Sequence, residues 1–404
     1  MITDEQALAN KIRVQAEGVA AWIANGYRGT LEWATGVGKS RGSILCIEHL
    51  RDVVFNIDGH LCKGLLVVPT EEMRDVDWPA EFEKWGCSMD NLKLVCYASL
   101  AKEDLSKYDY IIYDECHRLT VHNLQRLYEF KGPALGLTAT FPDSQWDKDQ
   151  ERVLLIRELL PPVHTITTDE AVDLGLISDF EVMVLKFHLC NTHKVLPGGT
   201  KKKSFLTTEK ARYTYLTRVL QMAMMKKIEG MKFGAISKRM QFLYNLPSKL
   251  RLAEQCLDRF RAEEPRKRTL VLCGSIDQAN QLCGENVFHS ESNSLALDRF
   301  QNEEIHELAA VKALNEGKNL VNLEQELIIQ VDSQERNLVQ RIGRTVRKRI
   351  GNPEFKARVV ILVALSTADD NWYKEAIKGF HSKRIKEYVV RVPDVKKSEK
   401  LVQV

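Results

Sequence analysis

A chain of 404 residues is too long for one ordinary core and too short for three, so two domains are expected. Its 44% hydrophobic and 28% charged residues exclude a disordered chain, and with no run of 18 apolar residues a membrane span is excluded as well. The net charge of +3 conceals an imbalance: Lys201 to Arg268 holds 18 Lys/Arg against 6 Asp/Glu, a balance of +12 that leaves −9 elsewhere. A basic segment within an acidic chain points to a polyanion contact. The polar N-terminus has no secretory apolar stretch, and the nine cysteines include no CxxC pair, so reduced thiols and a cytoplasmic location are expected.

In chain order, the first strong signal is Trp33-Ala34-Thr35-Gly36-Val37-Gly38-Lys39-Ser40. Such a glycine-rich turn lets backbone N–H groups close around phosphate oxygens at a helix N-terminus. Lys39 would reach the β/γ phosphates and Ser40 would ligate Mg²⁺, although the strict pattern has Gly where Trp33 stands. Gly64–Val68, Leu92–Cys96, Tyr110–Tyr113 and Ala134–Leu137 read as short strands alternating with helices, which predicts a mostly parallel α/β sheet with its ligand site at the carboxyl ends. Asp114-Glu115-Cys116-His117 follows the third of these runs, where an Asp serves a metal ion and a Glu can polarise water. Cys116 reads as a spacer.

Pro161-Pro162 marks the expected inter-domain connection, giving a first domain over 1–165 and a second over 166–395, with a tail at 396–404. In the second, Glu181–Leu185, Thr269–Cys273, Leu327–Val331 and Val359–Val363 read as strands. About 200–268 reads as a basic helical insertion, with Leu216, Val219, Leu220, Ala223 and Met224 at helical spacing, and likewise Leu250, Ala253, Leu257 and Phe260. Met222, Met224, Met225 and Met231 are expected as core filler, and Pro197–Lys203 as an exposed loop. His188, Cys190 and His193 read as a strand end and turn, not a metal site. Arg344 and Arg347, three apart in Gln340–Arg347, share a helix face and suit a γ-phosphate.

Together these motifs resemble the superfamily 2 helicases and translocases of DExH type, collinear over most of the chain and closest to compact phage and bacterial helicases and restriction-type motor subunits. The resemblance implies two RecA-like P-loop domains, ATP and Mg²⁺ as ligands, and a bacterial or phage-infected cell. It makes Gln15 the adenine reader, with Thr35, Gly36, Val37, Gly38, Lys39, Ser40, Gly317 and Asn319 on the nucleotide. Ser40 and Asp114 hold Mg²⁺, Glu115 orients water, and Arg344 and Arg347 act as fingers. His117, Thr138, Thr140 and Gln340 couple hydrolysis to nucleic-acid grip. Pro69, Thr70, Tyr97, Ser99 and Gly274 contact nucleic acid, and the basic run Lys201, Lys202 and Lys203 is assigned there on charge alone. Asn319 stands where many relatives have Asp, and Ser40 replaces the commoner Thr.

The expected activity is ATP-dependent movement along, or unwinding of, nucleic acid, DNA in preference to RNA. Three alternatives remain open: a non-unwinding ATPase subunit of a nuclease or remodelling complex, a nucleotide-switched DNA clamp or annealing module, and an RNA helicase. A P-loop kinase or transporter ATPase fails, because the second domain and its arginines have no task there.

Overall fold

The computed structural model describes residues 2–54, 62–143, 149–200, 203–226, 229–292, 294–311, 323–331, 355–377 and 383–392. Helix α1 (Asp4–Ala24) opens the chain behind a capping box formed by Thr3 and Gln6. A first sheet follows, built from β1 (Arg28–Trp33), β2 (Gly64–Val68), β3 (Leu92–Cys96), β4 (Tyr110–Asp114), β5 (Ala134–Thr138) and β6 (Pro162–Ile166). The strands are all parallel in the order β3-β2-β4-β5-β1-β6. Because helices cover both faces, β2, β4 and β5 are buried at every residue, which is why they read as unbroken aliphatic or aromatic runs. β1, with the sequence RGTLEW, is the least apolar of the central strands. Its Thr30 is buried by donating to the Leu160 carbonyl at 2.8 Å, while Glu32 accepts from the Phe141 amide at 3.0 Å.

Pro162 is not the domain connection expected of it. It begins β6 at the sheet edge, where a missing N–H does no harm. The passage to the second sheet is instead residues 167–178, with a short helix, Thr168–Asp173, capped by Thr167 and Glu170. Asn10 ties this passage to α1 by donating to the Leu174 carbonyl at 2.9 Å. Arg384 ties it to the second unit through Asp169, Asp173 and Asp179.

The second sheet holds β7 (Asp179–Phe187) and, after a two-stranded antiparallel ribbon of β8 (Leu196–Thr200) and β9 (Lys203–Thr207), continues with β10 (Thr269–Cys273), β11 (Val287–His289), β12 (Glu307–Val311), β13 (Gln325–Ile328), β14 (Lys356–Ala364) and β15 (Ile385–Val389). Its order is β11-β12-β10-β13-β14-β7-β15, again parallel throughout. Two parallel sheets with flanking helices give the expected α/β architecture. Of the segment expected as a loop, Pro197–Thr200 and Lys203 lie in the β8–β9 ribbon, where Gly198 pairs across from Phe205 and lets the ring lie over its backbone.

Three insertion helices, Glu209–Met225, Glu229–Tyr244 and Pro247–Glu263, lie between β9 and β10. Their roots are polar and buried. Glu209 accepts from the Ser248 amide (2.8 Å), the Ser248 hydroxyl (2.7 Å) and the Cys190 amide (2.9 Å), satisfying donors at the start of the third helix. Lys249, fully buried, donates to the Ile329 carbonyl at 2.9 Å and pairs with Asp369 at 2.9 Å. The methionines expected in the core are on the surface instead: Leu216, Leu220 and Ala223 occupy the inner face of the first insertion helix and leave Met222, Met224 and Met225 outside. All nine cysteines are free thiols, and among the described residues no helix is long and apolar enough to cross a membrane.

Removing one member of a buried ion pair leaves the other charge without compensation. Lys249→Met is expected to lower stability by about 3–5 kcal/mol, measured by urea unfolding. Burial raises the Asp369 carboxyl above its ordinary value even beside Lys249. A folded-state pKa above the unfolded one means stability that is lost as pH rises, so the deficit of the variant should shrink as pH falls.

Candidate nucleotide-binding site

The turn after β1 is shaped by two glycines in the left-handed region, Gly36 (φ +94°) and Gly38 (φ +105°), the latter capping helix α2 (Lys39–His49). A Cβ on Gly38 would stand 2.5 Å from Gln15 Nε2, and one on Gly36 would stand 2.9 Å from Ile177 Cγ2. Gln15 is buried, and its Nε2 has no hydrogen-bond partner. A buried amide left unsatisfied calls for an acceptor from outside the chain, which a purine ring nitrogen supplies. Lys39 Nζ donates to the Trp33 carbonyl at 3.0 Å and so lies across the mouth of the turn.

Trp33 occupies the position where the phosphate-loop pattern has glycine. Its ring is fully buried between α1 and α2 and fits because both helices present a glycine to it, Gly18 and Gly42. Its Nε1 donates to His164 Nδ1 at 2.9 Å. The departure from the pattern is therefore absorbed beneath the loop and leaves the backbone of the turn free to close around phosphate.

The β4–β5–β1 register sets Asp114 beside Leu137, and Glu32 beside Thr138, so the three loops leave the sheet at one level. Asp114 Oδ2 accepts from Trp78 Nε1 at 3.0 Å. Burial, and then the neighbouring Glu115, push the Asp114 carboxyl upward, while Lys39 opposes them. Glu115 sits at φ +53°, an uncommon conformation for a residue with a side chain. Burial works against its charge, but His117 (3.2 Å from Oε2), Lys39 and Arg118 outweigh it and hold the carboxylate below its ordinary range. The two adjacent acids are thereby pushed apart: burial and like charge raise Asp114, while His117, Lys39 and Arg118 keep Glu115 ionised.

His117 Nδ1 lies 3.0 Å from Thr138 Oγ1, which donates to the Thr140 carbonyl at 3.0 Å and accepts from the Thr140 amide at 3.1 Å. The Glu115–His117 contact and the hydrogen bonds of Thr138 thus link the acidic motif to the loop after β5. Several contributors escaped sequence reasoning: Trp78 on Asp114, Glu32 on the Phe141 amide, and Arg152, which donates to the His117 carbonyl at 2.6 Å. No spacing signal joins residues so far apart in the chain. Cys116 is more than a spacer, since its sulfur packs fully buried over Gly136 of β5.

The expected nucleic-acid residues are distributed as follows. Pro69 and Thr70 are half-buried after β2, and the Thr70 hydroxyl accepts from the Met73 amide at 3.2 Å. The Tyr97 hydroxyl donates to the Asp114 carbonyl at 2.8 Å, so its polar end faces the acidic motif; Ser99, further along the same short helix, lies half-buried. Gly274 closes against Tyr244, where a Cβ would come within 2.5 Å, and its amide donates to Gln278 at 2.9 Å. Gly317, Asn319, Gln340, Arg344, Arg347, Lys201 and Lys202 lie outside the described residues, and Lys203 is placed in β9 by its backbone alone. Among the described residues no group of three or more His, Cys, Asp or Glu is arranged to hold a metal. Mg²⁺ shared with substrate phosphates needs only one or two protein ligands, and Ser40 and Asp114 are of the right chemistry.

Because the ring over Gly42 has no room to retreat, Gly42→Val is expected to cost about 1–3 kcal/mol by overpacking. It should also weaken binding of a non-hydrolysable ATP analogue, followed by calorimetry beside a denaturation curve, since the displaced residue is the one whose carbonyl orients Lys39.

The "Helicase conserved C-terminal domain" family matches residues 248–349. Over 383 residues the chain is 23% identical to the "DNA 3'-5' translocase XPB2" of Sulfurisphaera tokodaii, covering 88% of this chain and 82% of that protein. Among solved structures it is similar in fold to a "putative HsdR subunit of a type I restriction enzyme" from Vibrio vulnificus, with TM-score 0.60, 15% identity, 96% of this chain and 72% of that one. It is also similar to the "ATP-dependent Type ISP restriction-modification enzyme LlaBIII bound to DNA", with TM-score 0.57 and 15% identity. There the match takes in 96% of this chain but only 31% of the larger enzyme.

Proposed function

We propose that this chain is a superfamily 2 helicase near the restriction-type motors, a DExH-type ATPase that moves along DNA. The observation that carries this reading is the placement of Lys39, the Asp114–Glu115 pair and the His117–Thr138 contact at one sheet edge. ATP would lie on the Gly36–Ser40 turn with its base toward Gln15. Ser40 and Asp114 would hold Mg²⁺, which would supply charge neutralisation at the phosphates. Glu115, kept ionised, takes the proton of the attacking water. The units proposed are 1–165 for nucleotide and 166–395 for the second motor domain, with 200–268 inserted and 396–404 as tail. Arg344 and Arg347, by resemblance, complete the site from the second domain.

Support for DNA over RNA comes from the archaeal relative, whose name specifies DNA, and from the DNA-bound restriction enzyme. ATPase activity measured with single-stranded DNA, forked DNA and RNA as stimulants tests the assignment. A rate indifferent to all three would refute it. The reading as a motor part of a larger nuclease assembly draws on the partial coverage of the restriction enzyme.

Lys39→Ala should weaken nucleotide binding, whereas Glu115→Gln should leave ATP bound and unhydrolysed; near-normal turnover in Glu115→Gln would remove Glu115 from the chemistry. Replacing Arg344 or Arg347 by Ala should lower kcat by ~10³ with little change in nucleotide affinity, because a finger contact exists only in the closed state. Loss of ATP binding at an unchanged maximal rate would show that they do something else.

A further inference from the structure

Large exposed apolar side chains concentrate on the first two insertion helices: Tyr215, Met222, Met224, Met225, Met231 and Phe233. Met225, the last residue of the first helix, is 81% exposed, and Phe233, near the start of the second, is 77% exposed. The two helices pack on each other through a small core of Leu220, Ala223 and Ala235, which leaves these side chains outside. Exposed apolar side chains gathered on one helix pair mark a candidate contact site.

Its surroundings narrow the occupant. From Lys210 to Asn245 the sequence has eight Lys/Arg and one Asp/Glu. Arg212 lies over the Tyr215 ring, 5.6 Å from its centroid. A second copy of this chain would bring like charge to like charge, which opposes pairing. The complement is a polyanion that also offers apolar faces, and unpaired nucleic-acid bases on their phosphate backbone meet both demands. The root of the helix pair points the same way. Tyr244 packs on Gly274, the Gln278 amide nitrogen donates to the Tyr244 carbonyl at 3.2 Å, and Ser275 donates to Asn245 at 2.5 Å. The helix pair is thus fastened to the loop after β10, a proposed nucleic-acid contact, and a 17-residue helix carries its tip about 25 Å away.

We propose that the helix pair Glu209–Met225 and Glu229–Tyr244 is a strand-opening wedge: Met225 and Phe233 at its far end press on the terminal base pair of a duplex junction while Lys226 and Lys232 hold the phosphates. Apolar side chains that unstack a base step are a general means of deforming a duplex. Fastened to the second motor unit, the tip would advance with each closure of the nucleotide cleft. The proposal rests on the DNA-translocase reading and decides what that reading leaves open, whether movement separates strands.

The test compares the full chain with Met225→Ser/Phe233→Ser and with Met225→Leu/Phe233→Leu. Both sites are exposed, so folding should be retained. Three readouts are taken: opening of a forked DNA duplex, displacement of streptavidin from biotinylated single-stranded DNA, and fluorescence of 2-aminopurine at the junction without ATP. The Ser variant should lose about tenfold or more in fork opening and lose the 2-aminopurine brightening, while streptavidin displacement stays within about twofold; the Leu variant should behave as the parent. Fork opening and brightening unchanged in the Ser variant would overturn the proposal and leave the apolar tip to an acidic protein partner. A parent chain that displaces streptavidin but opens no fork would overturn it as well. If the parent shows no DNA-dependent activity, the translocase reading fails by itself, and the ATP-independent brightening still decides whether the tip engages bases.

Discussion

Two adjacent carboxylates at the end of one strand, Asp114 buried and Glu115 half-buried, repel each other and lose water, and the first unit of this protein is organised around that cost. Asp114 is met by the Trp78 indole, while Lys39, His117 and Arg118 lower the energy of the Glu115 charge. Each helper arrives from a different element, and only a parallel sheet whose central strands β4, β5 and β1 run in register brings their loops to one level. The same requirement explains the short polar chain from His117 through Thr138 to Thr140, since a buried imidazole and hydroxyl must also find partners.

The second unit solves a different problem. A long helical insertion must be attached to a sheet without disordering its carboxyl edge, where loops with functional residues begin. Buried charge does this: Glu209 satisfies the start of the third insertion helix, and Lys249 reaches Ile329 and Asp369. Such contacts contribute little net stability relative to apolar packing, yet they permit one arrangement and penalise others. The insertion is thereby tied to the carboxyl edge of the sheet at Ile329 and to Asp369 after β14, as the mechanical role inferred for the helix pair requires.

The substitution of Trp33 for the usual glycine illustrates how a motif tolerates change. The phosphate loop depends on backbone direction at Gly36 and Gly38, where positive φ is needed. At position 33 the backbone is still strand, so the side chain is limited only by space, and Gly18 and Gly42 supply it.

Local chemistry made much of this chain legible before any fold was known. Contiguous signals such as Ala34–Ser40 and Asp114–His117, and aliphatic runs such as Leu65–Val68, depend on neighbours in sequence, and the α/β class followed from their alternation. β1 and β6 were not visible, because a polar or proline-headed strand is stabilised by partners more than 100 residues away. Helical spacing placed Leu216, Leu220 and Ala223 correctly at buried positions but misassigned the methionines, since periodicity marks a face without saying whether anything covers it. Trp78, Glu32 and Arg152 joined the site only through hydrogen bonds across the fold. Sequence by itself determined which groups are chemically able to act. The tertiary structure decided which of them meet, because burial and partnership depend on distances in space that spacing along the chain does not encode.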